Sequence, residues 1–452
     1  MQIGPAFRRF GAQLGLIALL VSGCSLDADA TNTPTTSEAP PTEDADNEPN
    51  AGESEDNLPE PDVAQPQGVA RQPAGDIASL AELSGLIAYR DDSGAIVVSS
   101  PTGESFVTLN DPEIQAQRAQ PTWSNDGTRV VWTSLDADGP SVTIADFNGD
   151  NRVTISAPTP AFFFAWSPDD STIAALGPSP QGVELFIVDT SADEITRVGS
   201  GQPFFIDWAS DTSLTSAVNG AILADIPTDA VTVDERELSA PLGAFQAPAN
   251  VIDDLILVAI EGGFDGNDLA LIDGNDAVTV ALAPGPITFS PNPVDTRVAV
   301  LVNADTSESQ VIAFQVDSPA TLPPNRVSII DFETGEVETL DIEGALATQW
   351  SPNGAVLAVL LAQETGLEWR FVIGGEMLPG DPFIPSQEFF NSYVPFADQY
   401  ERSATWWSPD SRAVMFSGSI DGESGVWVDL VEDGRAAIRI ADGDIAFWSP
   451  AS

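Results

Sequence analysis

Residues 123–133 read Trp123-Ser124-Asn125-Asp126-Gly127-Thr128-Arg129-Val130-Val131-Trp132-Thr133. A polar turn, Ser-Asn-Asp-Gly, is set between an aromatic residue and a β-branched run, which reads as a turn feeding a strand. The phrase returns along the chain. It is found at Trp166-Ser-Pro-Asp-Asp170, Trp208-Ala-Ser-Asp-Thr212, Phe289-Ser-Pro-Asn292, Trp350-Ser-Pro-Asn-Gly354, Trp407-Ser-Pro-Asp-Ser411 and Trp448-Ser-Pro450. Successive aromatics stand 43, 42, 81, 61, 57 and 41 residues apart. The gap of 81 is close to twice 41, so a degenerate copy is expected near Pro248, ahead of a strand at Leu255–Ile260. Fixed-period self-similarity of this kind marks a repeat architecture.

Each phrase leads into a β-rich run, among them Arg129–Thr133, Thr172–Leu176, Arg297–Val302, Ala355–Leu361 and Ala413–Ser417. A second run then ends in aspartate, at Asp146, Asp189, Asp225, Asp273, Asp331 and Asp429. A polar turn and a third strand follow. Strand, turn and strand at this spacing predict antiparallel sheets of four short strands. With a repeat near 42 residues the expected fold is all-β, an eight-bladed β-propeller, with seven blades as the alternative. The phrase and the aspartate-ended strand resemble the TolB-type, WD-like propeller repeat over about 370 residues. The N-terminal domain that precedes the propeller in TolB has no counterpart. The resemblance implies a fold, not an activity.

The ends give an independent expectation. Trp448-Ser-Pro450 is followed by Ala451 and Ser452 alone, whereas Leu86–Tyr89 and Ala95–Ser100 are strands with no phrase before them. Two broken blades make one whole blade. The C-terminal strand Ile445–Trp448 is therefore predicted to lie beside Leu86–Tyr89 and close the ring, which removes two exposed sheet edges.

The start of the chain reads as an address. Arg8 and Arg9 precede the apolar run Leu14–Val21, which ends in Val21-Ser22-Gly23-Cys24. A basic start, a short apolar run and small residues before a cut form a secretory signal over residues 1–23. The run is too short to span a bilayer. Its end resembles the bacterial lipobox, which implies lipid on Cys24 and an extracytoplasmic protein anchored to the cell membrane, or to an outer membrane if the host has one. Residues 24–76 form the expected linker. It has thirteen acids, eight prolines and Arg71 as its single basic residue, so it buries too little apolar surface to fold. A flexible chain of this length reaches roughly 40 Å. Residues 77–452 form the propeller.

Composition removes whole classes of chemistry. The chain has 452 residues, no histidine, one cysteine and a formal net charge of −53; all 16 of its basic residues are arginine. There is no imidazole base, no lysine for a Schiff base, no internal disulfide and no cysteine or histidine set for a metal. Phosphate would be repelled, so nucleic acid is not an expected partner. In residues 77–452, 56 acids face 13 arginines. Such a surface repels anionic headgroups and favours cationic partners, and it also fits adaptation to salty surroundings.

The repeated residues Trp123, Trp166, Trp208, Phe289, Trp350, Trp407 and Trp448 read as structural. The aromatic packs between blades, and the Ser and Asp that follow hold the turn. Asp146-Phe147-Asn148-Gly149-Asp150 imitates a calcium loop but lacks the glycine at the sixth position and the later glutamate, so no metal is assigned. Two insertions break the period. One holds Ser318–Pro324. The other runs from about 376 to 402 and carries Phe383, Phe389, Phe390, Tyr393, Phe396, Tyr400 and Arg402. Long aromatic insertions are common at binding surfaces, and these seven residues form the expected partner-binding loop. The alternative is a satellite core or a cap on the channel. No catalytic residue and no cofactor is assigned. The expected function is a lipid-anchored binding or scaffold module for an envelope protein, peptide or glycan. The alternative is a carboxylate-dependent glycoside hydrolase or lyase with its site in the channel.

Overall fold

A computed structural model describes residues 77–451, apart from 112, 192–193, 221, 230–232, 244–245, 263–265, 304–318, 398, 401–402 and 432–435. Cys24, the linker and Arg402 lie outside the described residues. The described chain opens with a short 3-10 helix, Ile77–Glu82, and its regular structure is otherwise mainly strand.

Four-stranded antiparallel sheets follow one another in chain order. The first contains Ile87–Arg90, Ile96–Ser99 and Phe106–Thr108. The second is built from Gln117–Trp123, Arg129–Asp136, Gly139–Asp146 and Val153–Ser156. The third runs from Phe163–Trp166 to Glu194–Gly201, and the fourth from Phe204–Ser210 to Asp234–Arg236. The fifth begins at Ala249–Asn250, and the sixth runs from Ile287–Pro291 to Val337–Thr339. A seven-stranded sheet comes last. Its four strands between Ala345 and Pro385 join three between Ala413 and Ala441 through the pairs Ile384↔Ser419 and Pro385↔Gly418. No single sheet closes on itself among the described residues.

The degenerate repeat stands where the spacing placed it. Ala249–Asn250 pairs with Leu257 and Ile256, and Asn250 occupies the aromatic position of the phrase. The end strand is also where it was expected. Ile445–Trp448 pairs antiparallel with Ile87–Arg90 in the register Ile87↔Trp448 to Arg90↔Ile445.

Burial explains the strand sequences. Middle strands such as Arg129–Asp136 and Val356–Gln363 are buried over five or six successive residues, because both faces of each sheet are covered by neighbouring sheets. Outermost strands such as Phe106–Thr108 and Val337–Thr339 are exposed throughout. The core accordingly divides into layers between adjacent sheets. Val131, Ile144, Phe164, Trp166 and Phe186 fill the layer between the second and third. Tyr89, Val97, Met415, Val428 and Trp448 join the last strands to the first. Each fully buried Val, Leu, Ile or Phe contributes about 1.5–3 kcal/mol, so these layers rather than the strand edges hold the sheets together.

One expectation needs correction. Residues 376–385 are not loop. Glu376–Pro385 is a ten-residue strand, reached through a hairpin at Gly374-Gly375, where φ is +55° and +85°. Phe383 therefore lies on a strand. The first insertion falls mainly in 304–318, outside the described residues. Its return, Ala320–Thr321, adds a parallel strand to Asp276–Leu282 of the preceding sheet.

Candidate functional site

The phrase turns are built from the serine outward. Ser124 Oγ donates to Asp126 at 2.7 Å and accepts from the Arg129 N–H at 3.0 Å, while the Ser124 N–H donates to the Arg129 carbonyl at 2.9 Å. Ser167 with Asp169 and Thr172, Ser351 with Asn353 and Val356, and Ser408 with Asp410 and Ala413 repeat this set. Gly127 and Gly354 take the left-handed backbone of the fifth position, at φ +69° and +67°. At Asp126, burial pushes the carboxyl up, but bonds from Ser124 and Thr128 and the nearby Arg129 together outweigh it and hold the group below its ordinary value. Bonds from Ser167 and Ser171 likewise hold Asp169 low. These carboxylates are committed to their own turns.

The phrase tryptophans tie each sheet to the one before. Trp123 Nε1 donates to the Phe447 carbonyl at 3.1 Å, Trp166 to Thr122 at 3.4 Å and Trp208 to Ala165 at 3.1 Å. Trp350 donates to Ser290 at 3.1 Å and Trp407 to Gln349 at 3.3 Å. In the fifth sheet, where the aromatic is missing, the Asn250 backbone N–H and side-chain amide both donate to Asp207, at 2.6 and 3.0 Å. A carboxylate and an amide there replace the indole-to-carbonyl link. At Trp448 the link fails, since its buried Nε1 has no hydrogen-bond partner. Ser449 compensates across the chain ends. Its N–H donates to the Leu86 carbonyl at 2.7 Å and its Oγ accepts from the Leu86 N–H at 2.9 Å, the same pair of bonds that other phrase serines make within one turn.

The long insertion after Pro385 is a compact helical excursion, Phe389–Tyr393 followed by Val394–Phe396. Its aromatics are largely spent on packing. Phe383, Phe389 and Tyr393 are almost fully buried in one cluster with Trp369, Trp406 and Phe447, and Phe390 packs against it. Phe383 stacks on Phe416 at 4.0 Å between ring centres, and Tyr393 meets Phe447 of the end strand at 5.1 Å. Tyr400 reaches Phe162, Phe163 and Phe205 of the third and fourth sheets at 5.2, 6.2 and 5.0 Å, and Phe396 touches it from the same excursion. Burial pushes the Tyr400 phenol above its ordinary value despite a backbone bond with Phe204. The excursion thus crosses to sheets far away in sequence.

Arg90 anchors its start. The guanidinium donates to Asp444 at 2.9 and 2.6 Å, to Glu388 at 2.8 Å and to the Arg118 carbonyl at 2.7 Å. Burial works against its charge, but Asp444 and Glu388 prevail and raise its pKa. Arg118, buried beside it, is bonded to the carbonyls of Gly94, Ile114 and Ala116, and desolvation lowers its pKa.

A cleft of about 510 Å³ opens at the outer edge between the first and second sheets. Phe106 and Val107 line it from the first sheet's outermost strand and Phe147 from a turn of the second, with Leu86 and Val98 behind. Phe106 is 65% exposed and Phe147 41%. The sequence reading passed over both. The signal available was an aromatic placed inside the otherwise polar turn Asp146–Asp150. That turn binds itself: Asn148 donates to Asp150 at 2.9 Å and Asn151 to Asp146 at 2.7 Å. Among the described residues, no group of three or more Asp, Glu or Cys side chains is placed to hold a metal, and no helix is long and apolar enough to cross a membrane.

No known protein family matches the chain by sequence, and neither does any curated protein. Solved structures do match in shape. The C-terminal WD40 domain of Sif2 superposes with a TM-score of 0.51 at 12% identity, over 80% of this chain and 99% of that one. The fold is a β-propeller. The dihydro-heme d1 dehydrogenase NirN, in complex with DHE, matches with a TM-score of 0.51 at 11% identity, over 84% of this chain and 78% of that one. TolB from Acinetobacter baumannii matches with a TM-score of 0.38 at 14% identity, over 67% and 65%. At such identities the likeness is one of propeller fold alone.

Proposed function

We propose that the chain is an eight-bladed propeller that works as a binding module outside the cytoplasm, held to a membrane by lipid on Cys24 and held off it by the acidic linker 24–76. Eight blades follow if the seven-stranded sheet is two blades joined by one pair, and if Ile445–Trp448 is the inner strand of the first. The Ser449–Leu86 bonds support a sealed ring. A sealed ring is a rigid frame, and recognition then falls to its turns and outer edges. The observation that carries the binding reading is the contrast between two sets of aromatics. Those of the long excursion are consumed in packing, whereas Phe106 and Phe147 stand exposed over a cleft. Exposed aromatics grouped at one edge mark an interaction site.

Two measurements test this. Cys24→Ser should move the protein from the membrane pellet to the soluble fraction and abolish incorporation of labelled palmitate; a variant that still carries label in the pellet refutes the anchor. Cross-linking in the host should recover envelope partners with the wild-type chain and lose them with Phe106→Ser/Phe147→Ser. Identical recoveries refute the cleft as the binding surface.

A further inference from the structure

The cleft leaves recognition to side chains. Phe106–Thr108 is the last strand of its sheet, and the turn of the second sheet stands against it. A Cβ built on Gly149 would lie 3.4 Å from Val107 Cγ1 and 3.8 Å from the Thr108 carbonyl oxygen. That contact leaves no room for another strand on this edge, so a peptide main chain has no place to pair. The cleft's volume of about 510 Å³ falls in the range of ordinary ligand sites and is enough for roughly two or three sugar rings.

The lining sets bare rings beside unused hydrogen-bonding groups. Phe106 and Phe147 are exposed, and so are Glu104 and Ser105 next to them. The Glu104 N–H donates to Thr102 Oγ1 at 3.4 Å, and the Ser105 carbonyl accepts from the Ser100 N–H at 2.9 Å. Neither side chain makes a hydrogen bond or an ion pair among the described residues. No basic residue lines the cleft. Arg152, just past the facing turn, is spent on the Leu109 carbonyl at 3.1 Å and on Asp111 at 3.4 Å. With Glu104 inside and Asp146 and Asp150 in the facing turn, an anionic ligand is repelled. One free carboxylate is too little to select a polycation, but its two oxygens can accept two hydroxyl groups at once.

We infer that this cleft binds a short neutral glycan, with sugar rings laid on Phe106 and Phe147 and hydroxyl groups on Glu104 and Ser105. The inference rests on the binding-module reading and names its ligand chemistry. The C–H bonds on one face of a pyranose ring point slightly positive hydrogens outward, which complement the negative face of an aromatic ring. The rim of the same sugar carries hydroxyls, which donate to the Glu104 carboxylate and exchange bonds with Ser105. The ligand and the cleft thus share one pattern, an apolar face bordered by hydrogen-bonding groups. A wholly apolar molecule would strip water from Glu104 without replacing its bonds, and an acidic sugar meets like charge.

The test uses the full chain and saturation-transfer NMR, with cellotriose, laminaritriose and chitotriose as neutral probes and trigalacturonate as the anionic one. A neutral probe should bind at millimolar concentration, with transfer strongest to its ring C–H protons, and trigalacturonate at least tenfold more weakly. Phe106→Ser/Phe147→Ser should weaken the neutral probe at least tenfold without moving the urea midpoint, since both rings are exposed. If that variant is unstable, Glu104→Ala keeps the rings and should weaken binding at least threefold. The inference is overturned if no neutral probe binds at millimolar concentration, if wild type and variants bind alike, or if trigalacturonate binds as tightly. A Phe106-dependent dimer in place of sugar binding also overturns it. Should cross-linked partners depend on Phe106 while no sugar binds, the glycan chemistry fails and the binding module stands; should neither depend on it, both fail.

Discussion

Trp123 and Trp448 occupy the same place in the repeat, yet only Trp123 uses its indole N–H. Both are almost fully buried, and neither has an arginine stacked on it, as Trp166 and Trp350 do. Replacing either with phenylalanine removes a comparable part of a buried ring, so the packing losses largely cancel in the comparison. The hydrogen-bond consequences have opposite signs. Trp123→Phe deletes the 3.1 Å bond to Phe447, at a cost of about 1–3 kcal/mol if the carbonyl is left short of a partner. Trp448→Phe deletes a donor that is buried and unpaired, and so removes a desolvation penalty of about 1–3 kcal/mol. The difference should be about 2–6 kcal/mol, with Trp123→Phe the less stable, which is more than a tenfold change in the unfolding constant. Urea unfolding followed by far-UV circular dichroism, with slopes compared between variants, measures it. Equal losses, or a larger loss at Trp448, would refute the view that the indole bonds rather than ring packing alone join successive blades.

Other expectations follow from single sites. Asp268 is buried, and desolvation raises its carboxyl pKa against the opposing bond from Ala283. A raised folded-state value means that stability is lost as pH rises past the ordinary aspartate range, so Asp268→Asn should be more stable than wild type at pH 7 and indistinguishable at pH 3 in thermal melts. Asp126 is the reverse case. Its lowered value contributes stability that is present above about pH 4 and is lost as pH falls through the folded value, so Asp126→Asn should flatten the acid side of the stability curve. Arg90→Met leaves Glu388 and Asp444 facing each other without their cation. Both are partly exposed, so the expected loss is about 1–3 kcal/mol rather than the 3–5 of a fully buried pair, and hydrogen exchange should rise first at Ile445–Trp448. With a net charge of −53, the melting temperature should rise from low to molar NaCl as repulsion is screened; a flat or falling curve would contradict this.

The parts of the fold that were legible in the sequence are those the chain says repeatedly. A turn that needs a serine, a carboxylate or amide and a left-handed residue leaves the same trace each time. The spacing could therefore recover even the copy in which Asn250 has replaced the aromatic. The partnership of the chain ends was legible for a related reason, since two incomplete units have one complementary completion. The strand Glu376–Pro385 was hidden because Pro379, Pro382 and Pro385 suggest a loop, although Gly374-Gly375 is a hairpin signal. Which aromatics face solvent was not legible. Phe389 and Tyr393 in the excursion and Phe106 and Phe147 at the cleft each follow directly on a polar residue. What separates them is cover supplied by strands up to several hundred residues away. The contacts of Arg90 with Glu388 and Asp444 span 298 and 354 positions and leave no local pattern.

That long-range set gives the excursion a physical role its composition did not suggest. It meets the end strand at both of its own ends. At its start, Ser386 Oγ donates to the Asp444 carbonyl at 2.5 Å and Arg90 bridges Glu388 to Asp444. At its finish, the Trp448 N–H donates to the Thr405 carbonyl at 2.8 Å, and Thr405 Oγ1 donates back to the Trp448 carbonyl. Between them Tyr393 packs on Phe447. The end strand has four residues and pairs with one four-residue strand, which is little for a junction that joins the two ends of the chain. Its inner tryptophan also lacks the indole bond made at five other junctions. The excursion supplies the missing contacts at the place where the repeat is weakest. The insertion is well placed to do so, because Ser386 at its start bonds the residue just before the end strand and Thr405 at its finish bonds the strand's last residue.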